Sequence, residues 1–402
     1  MTPSNTALSA APAPPADAPS GVMAFRGLWL FSPRADAVFL GIPLLLTVVG
    51  ATVSLLAAEG PGAQTHRLAM WTAQNLLGSG THVVLSFLLM AVHRDVLTAD
   101  PKQPRALLAG TSAALLATGV GFYFLYYADR LAYGYTAAIL FGVFGMHHML
   151  AQHKGFWSLH GLRGAQAGLP ASSPRERRLL QVYVPLMLTL TLTRLLFIPD
   201  SAAPGATPFL DVGQGALLPH GTLAVLITVW LGYFVLLFRT VLRSGQLSGP
   251  KMLYLGAVAT VTGLLLVAPP WGNVMLLAMH GLEYFMITAR MLEPRPGDGP
   301  SRFGRAWIWP LMGLSMLPLL ALGVVDGFLL RTVYGETGPA SLAANPVLRA
   351  SITLGLGVVL AHYVADAFIY RFRIPGIRKV MLRRLGFGPP AAPAPAPVGT
   401  QQ

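Results

Sequence analysis

The chain has 402 residues, of which 54% are hydrophobic and only 11% charged, and its mean hydropathy is +0.58. These values exclude an ordinary soluble globular protein and are typical of a chain that crosses a membrane many times. Cysteine is absent, which excludes disulfides, thiolate metal ligands and iron–sulfur clusters.

The net charge of +13 is high enough to suggest a nucleic-acid partner, but its distribution along the chain argues for another role. When successive loops are assigned alternately to the two sides of a membrane, 23 of the 28 lysines and arginines fall on one side. This pattern is the positive-inside bias, and it places both termini in the cytoplasm. We therefore assign the excess charge to topology and to contact with anionic membrane lipids, and we expect no nucleic-acid partner.

Apolar segments long enough to cross a bilayer occur about ten times along the chain. They are predicted at 37–58, 68–92, 106–128, 132–152, 179–198, 221–241, 252–269, 272–290, 306–326 and 350–371. The regular alternation of basic loops supports this count, because one missed span would assign every later basic loop to the opposite side of the membrane. The sequence thus predicts an all-α, polytopic transmembrane bundle over residues 22–385, with both termini inside, in a bacterial inner (cytoplasmic) membrane.

Alanine- and proline-rich segments occupy both ends of the chain, at 1–21 and 386–402. Such compositions cannot build a packed core, so both segments are predicted to be disordered tails. Residues 1–21 also lack the apolar core of a cleavable signal peptide, and the first span is predicted to act as an uncleaved signal anchor.

Histidines lie inside four of the predicted spans. His82 is in the second span, His147 and His148 are in the fourth, His280 is in the eighth and His362 is in the tenth. All four spans run from outside to inside, and at a rise of ~1.5 Å per residue these histidines lie roughly 8–16 Å from the cytoplasmic ends. Ionisable groups in a bilayer are costly and mark functional sites by default. The shared depth predicts that the four helices converge on one polar site.

Further polar residues follow these histidines at helical spacing. Glu283 is three residues after His280, and Asp366 is four residues after His362, so each pair shares one helix face. Bundle proteins hold paired iron or manganese with histidines and carboxylates at these spacings. The carboxylates are therefore predicted to be bridging ligands or acceptors that orient the imidazoles. The predicted catalytic set consists of Glu283, Asp366, Gln152 and Tyr284.

Residues near the cytoplasmic interface extend this prediction. His153 could close the site from below and joins the predicted metal ligands, whereas His93 and His160 are assigned to the lipid-headgroup region. Arg290 and Arg371, one to two turns below the site, are predicted either to hold an anionic headgroup or to anchor the topology. Two outer histidines, His66 and His220, are interpreted as loop residues.

The ligand types favour one class of metal, and other functions remain open. Imidazole and carboxylate without sulfur favour non-haem iron, with a di-iron site possible, and zinc next. Two of the histidines could instead ligate a b-type haem in an electron-transfer protein. The same groups could form the relay of a proton- or metal-coupled transporter. A lipid-phosphate phosphatase is not supported, because only His362 and Asp366 match part of one of its motifs.

The adjacent pair His147–His148, together with many histidines at the cytoplasmic side of a helical bundle, resembles the histidine-rich membrane oxygenases, desaturases and hydroxylases. The His-x-x-x-His and His-x-x-His-His boxes of that class are absent from this chain. The resemblance implies an iron-dependent oxidoreductase that acts on a lipid-soluble substrate. Electrons would come from a separate donor, because the chain has no flavin or nicotinamide fingerprint.

Overall fold

A computed structural model of the chain describes residues 28–56, 82–83, 85–87, 89, 94–128, 132, 136, 138–200, 217–244, 248–293, 310, 346–370, 372 and 374–387. Every regular element in these ranges is helical, as predicted. The tail at 1–21, the span at 306–326 and nearly all of the tail at 386–402 lie outside the described residues. The span at 68–92 is described only in part.

Most of the described helices follow the predicted spans closely, but the helix in the predicted span 132–152 continues to Gln166. The described helices are α1 (Pro33–Leu56), α2 (Arg94–Thr98), α3 (Gln103–Ala128), a π-helix (Ala138–Gly145) that continues into α4 (Met146–Gln166), α5 (Pro174–Phe197), α6 (Thr222–Arg243), α7 (Gly249–Val267), α8 (Pro269–Met291), α9 (Pro346–Ile369) and α10 (Pro375–Arg384). A short helical stretch carries His82.

Four of these helices are long and apolar enough to cross a membrane: α3 over Gln103–Leu125, α5, α6 and α7. Helix α9 adds a shorter apolar segment, Thr353–Ile369. Helix α8 covers the predicted span at 272–290, but the polar residues at its centre lower its hydropathy. The all-helical class is thus confirmed for the described residues, and the four apolar helices are consistent with a membrane bundle, while the count of ten and the orientation stay predictions.

Local sequence signals begin several of these helices. Ser173 precedes α5 and accepts a hydrogen bond from the Glu176 backbone N–H at 3.1 Å, and Pro174 occupies the first helical position. Ser248 caps α7 in the same way through Lys251. A hydroxyl acceptor followed by proline satisfies an orphan N–H and presets the backbone, which fixes where each helix starts.

Helices α3 and α9 pack against each other along much of their length. The contact depends on Gly357, because a Cβ atom at this position would lie 2.9 Å from the Leu115 carbonyl oxygen. Small residues let helices approach closely in lipid. Since His362 lies five residues further along α9, this close contact also sets the position of that histidine.

Outward-facing side chains of the bundle are apolar. Leu45 on α1, Leu108 and Phe124 on α3, and Val225 and Val235 on α6 are all at least half exposed. Such a surface suits hydrocarbon rather than water. Polar side chains such as His280 and Glu283 on α8 are buried, so the bundle is apolar outside and holds polar groups within a largely apolar core.

Candidate metal centre

Four histidines from four separate segments meet at the centre of the bundle. His82 comes from the short helical stretch before α2, His148 from the first turn of α4, His280 from the middle of α8 and His362 from α9. One ring nitrogen of each lies within 4.8 Å of the corresponding nitrogens of the others. The structure thus brings together four of the six predicted metal ligands, which we call the histidine quartet.

The four rings surround a common centre. The ring centroids of His280 lie 4.4 Å from His82 and 5.0 Å from His148, and those of His362 lie 4.6 and 5.0 Å from the same two residues. His82 and His148 face each other across the centre at 6.5 Å with nearly parallel rings. His280 and His362 each contact both members of this pair, so the four rings form one compact group.

The nitrogen positions fit one metal ion. His82 Nε2 and His280 Nε2 are 2.9 Å apart, which is a hydrogen-bond distance between the two imidazoles. It also equals the separation of two ligands at a right angle on one ion with metal–nitrogen bonds of about 2.0–2.1 Å. Among the described residues, the buried Nε2 atoms of His148 and His362 have no hydrogen-bond partner. Buried polar atoms without partners are costly and call for an explanation, and a shared ion supplies one.

Asp366 adds a carboxylate to the quartet. Its Oδ2 lies 3.6 Å from both His148 Nε2 and His362 Nε2, and its Oδ1 accepts a hydrogen bond from the Tyr284 hydroxyl at 3.3 Å. The predicted shared face of His362 and Asp366 therefore holds in the structure. Oδ2 is positioned either to approach an ion or to accept a proton from an imidazole, and Tyr284 orients the carboxylate.

Glu283 is held away from the quartet by two neutral donors. Tyr254 donates to Oε1 at 2.7 Å and Gln152 donates to Oε2 at 2.8 Å. The Gln152 amide also donates to the His280 carbonyl oxygen at 2.9 Å. With both oxygens occupied, Glu283 ties α4, α7 and α8 together behind the quartet. We call Gln152, Tyr254 and Glu283 the brace, and Gln152, which was predicted to be catalytic, belongs to it.

The other two predicted ligands lie outside the quartet. His147 is exposed, because one residue along a helix turns the side chain about 100° away from His148. His153 is buried, with Nδ1 3.4 Å from the Tyr183 hydroxyl, while its Nε2 has no hydrogen-bond partner among the described residues. His153 therefore lies in the packing between α4 and α5.

The residues predicted to hold a headgroup are only partly described. Arg290 forms an ion pair with Glu293 at the end of α8, and Arg371 lies outside the described residues. His220 Nδ1 lies 3.2 Å from the Pro199 carbonyl oxygen, which fits the predicted loop role. His66 and His93 are also outside the described part of the chain. His160, assigned to the headgroup region, is instead buried with its ring 5.1 Å from that of Tyr254, so that assignment was wrong.

A second buried polar cluster was not predicted. Lys251 Nζ lies 2.6 Å from Glu176 Oε1, and both side chains are almost fully buried. The same oxygen accepts a hydrogen bond from the Trp157 indole at 3.0 Å. Sequence reasoning assigned Lys251 to loop charge, and the only local signal was the Ser173-x-x-Glu176 capping pattern. That pattern predicts a helix start but not a salt bridge 75 positions away.

A cleft of about 1380 Å³ reaches the quartet from the side. Apolar residues such as Leu140, Phe144 and Leu360 line one part of it. His148 and Asp366 line it as well, so they are the groups through which the quartet meets the cleft. The other three histidines of the quartet have relative exposures of 0–1%.

Comparisons of this chain with known protein families, curated proteins and solved structures give no match.

Proposed function

We propose that this protein is an integral membrane metalloenzyme that oxidises a lipid-soluble substrate at a non-haem iron centre. The observation that carries the proposal is the quartet of His82, His148, His280 and His362, in which one ring nitrogen of each residue lies within 4.8 Å of those of the others. The proposed topology is ten spans with both termini in the cytoplasm of a bacterial inner membrane.

The donor set favours iron. Four imidazoles and one nearby carboxylate, without sulfur, suit iron, followed by zinc and copper. The compact quartet fits a single ion rather than the pair considered from sequence, because all four nitrogens lie within 4.8 Å of one another. When bound, the ion would supply the activation of dioxygen that an imidazole–carboxylate site cannot provide alone.

The chain's own residues set the geometry of the reaction. The brace formed by Gln152, Tyr254 and Glu283 fixes α8 and thus the direction of the His280 ring. Asp366, oriented by Tyr284, holds a proton acceptor beside His148 and His362. The apolar walls of the cleft exclude water from the side where substrate would meet the centre.

The overall reaction must include a reductant. In a hydroxylation, one substrate C–H bond and one dioxygen give a C–OH group and one water, with two electrons and two protons taken up. We assign the electrons to a separate reduced flavin or iron–sulfur donor.

The haem alternative has less support. A haem ligated by two histidines has its macrocycle between the two rings. Direct contact of the His82 and His280 nitrogens at 2.9 Å leaves no such gap. The ring pair His82–His148 is wider, but His280 and His362 occupy both sides of the space between them.

The oxidation is tested by isotope incorporation. Membranes that contain the protein, an added reductase system and extracted lipids are incubated with ¹⁸O₂, and the lipids are compared by mass spectrometry with membranes carrying His362→Leu. We expect ¹⁸O-labelled or desaturated lipids with the wild-type protein alone. An iron-loaded wild-type protein that yields no oxidised lipid would overturn the proposal that the protein oxidises lipids.

A further inference from the structure

Basic residues line one end of the cleft that reaches the quartet. Lys154 on α4, Arg177 on α5 and Arg378 on α10 contribute to its wall, and both arginines are exposed. The opposite end is lined by Leu140, Val143 and Phe144. The cleft therefore has basic side chains on the part of its wall that follows Gln152 and hydrocarbon on the part that precedes His148, and the Glu176 carboxylate that also lines it is paired with Lys251.

Arg177 and Arg378 line the cleft, whereas other described arginines without an ion pair, such as Arg175 and Arg243, do not. Arg194, Arg290, Arg383 and Arg384 each pair with a carboxylate. Neither Arg177 nor Arg378 forms an ion pair with a described residue. Exposed guanidinium groups suit phosphate, which they bind through two parallel hydrogen bonds.

The length of the cleft is informative. Its lining on the π-helix and α4 extends from Leu140 to Ala165, which at ~1.5 Å per residue is roughly 37 Å. Its volume of about 1380 Å³ exceeds the ~300–1000 Å³ of ordinary small-molecule pockets. His148 lies between the two ends. A ligand that fills the cleft must be long, apolar over most of its length and anionic at one end.

We infer that the cleft binds one acyl lipid with an anionic phosphate headgroup, held by Arg177, Arg378 and Lys154, whose chain passes His148 and Asp366. This inference names the substrate class of the proposed function, but lipid binding itself does not require the metal. The basic end would then be the headgroup site, in place of Arg290, whose guanidinium is already paired with Glu293.

The binding is tested by native mass spectrometry of purified full-length protein in detergent. Phosphatidylglycerol and phosphatidylcholine with identical acyl chains are titrated, so that only the headgroup charge differs. We expect one phosphatidylglycerol per chain and at least tenfold weaker binding of phosphatidylcholine. Arg177→Ala and Arg378→Ala should each weaken phosphatidylglycerol binding roughly fivefold.

Two controls separate the possible outcomes. Arg243→Ala removes a cation at the end of α6 that does not line the cleft, and it should leave lipid affinity unchanged. His362→Leu should abolish metal binding but retain phosphatidylglycerol. Equal affinity for both lipids, or no effect of the two cleft arginines, would overturn the inference. Loss of lipid oxidation with intact lipid binding would count against the proposed function alone.

The path of the chain is tested with phosphatidylglycerol that carries a photoreactive diazirine at mid-chain. Cross-links are expected on the segments around Phe144–Ala151 and Leu360–Ala367, which face the cleft near the quartet. Cross-links restricted to the exposed apolar residues of α1 and α6 would show an ordinary annular lipid and contradict the inference.

Discussion

Two buried polar clusters in this bundle differ in one respect. In the Glu176–Lys251 cluster the charges are opposite, 2.6 Å apart and supported by the Trp157 indole. In the histidine quartet the groups are all of one type, and the Nε2 atoms of His148 and His362 have no hydrogen-bond partner among the described residues. We call the Glu176–Lys251 cluster complete because its opposite charges are paired within the protein, although Glu176 Oε2 has no hydrogen-bond partner among the described residues. We call the quartet incomplete because its nitrogens are grouped where they could hold a cation.

The comparison shows how to distinguish structural from ligand-binding polar groups in a membrane protein. Burying a polar group costs free energy unless it is paired. A complete cluster therefore supports the fold, and removing one partner should harm stability. An incomplete cluster costs the fold stability, and removing a member should harm ligand binding instead.

The largest expected loss of stability comes from removing one charge of the complete cluster. Lys251→Met leaves the Glu176 carboxylate buried without its cation, so the free energy of unfolding should fall by about 3–5 kcal/mol. The measurement is denaturant or thermal unfolding in detergent. The double variant Glu176→Gln/Lys251→Met, which removes both charges, should recover most of the loss. A single variant as stable as wild type would show that the pair is not a structural element.

Helix packing should have the next largest effect. Gly357→Val places a side chain against the Leu115 carbonyl oxygen and forces α3 and α9 apart, which should cost about 1–3 kcal/mol and lower metal affinity by moving His362. Gly121→Val on α3 is the matched control, because its Cβ would meet nothing within 4 Å. Equal metal content and stability in the two variants would show that the α3–α9 contact at Gly357 does not position the quartet.

Substitution of a histidine of the incomplete cluster should change stability much less than Lys251→Met does. His362→Leu removes an unpartnered buried nitrogen and one hydrogen-bond contact, between Nδ1 and the Val359 carbonyl oxygen at 3.0 Å. The stability of the metal-free protein should therefore change by no more than about 1 kcal/mol. A loss as large as that of Lys251→Met would remove the distinction between the clusters.

The smallest effect concerns Asp36 in the first turn of α1. Burial raises the pKa of Asp36 to about 6 from its ordinary value of 3.8, although hydrogen bonds from the backbone N–H groups of Leu30 and Phe31 oppose the rise. Between pH 4 and 6 the folded state thus binds more protons than the unfolded state, and stability falls as the pH rises.

Asp36→Asn tests this pH dependence, because the amide does not titrate. Thermal midpoints measured from pH 4 to 7 should decline less steeply in the variant than in the wild type over the window from 4 to 6. Identical slopes would show that Asp36 does not contribute.

Much of the site could be predicted from sequence because membrane burial limits where ionisable residues occur. The shared depth of His82, His148, His280 and His362 predicted that they would meet, and they do. The i,i+4 spacing of His362 and Asp366 likewise predicted a shared face. These inferences needed only helix geometry and the direction of each span.

Other features depend on packing that sequence does not reveal. His147 and His148 have the same depth and chemistry, and only the rotation of α4 selects His148. Glu283 shares a face with His280, but Tyr254 from α7 and Gln152 from α4 occupy its oxygens. Such contacts join residues more than 25 positions apart.

Metal stoichiometry tests the central claim most directly. The wild-type protein and His362→Leu are purified from membranes, incubated anaerobically with ferrous iron, freed of unbound metal and measured by elemental mass spectrometry together with the visible spectrum. We expect about one iron per wild-type chain, none in the variant, and no Soret band. A wild-type protein that binds no metal under these conditions, or a variant that binds the same amount, would contradict the account.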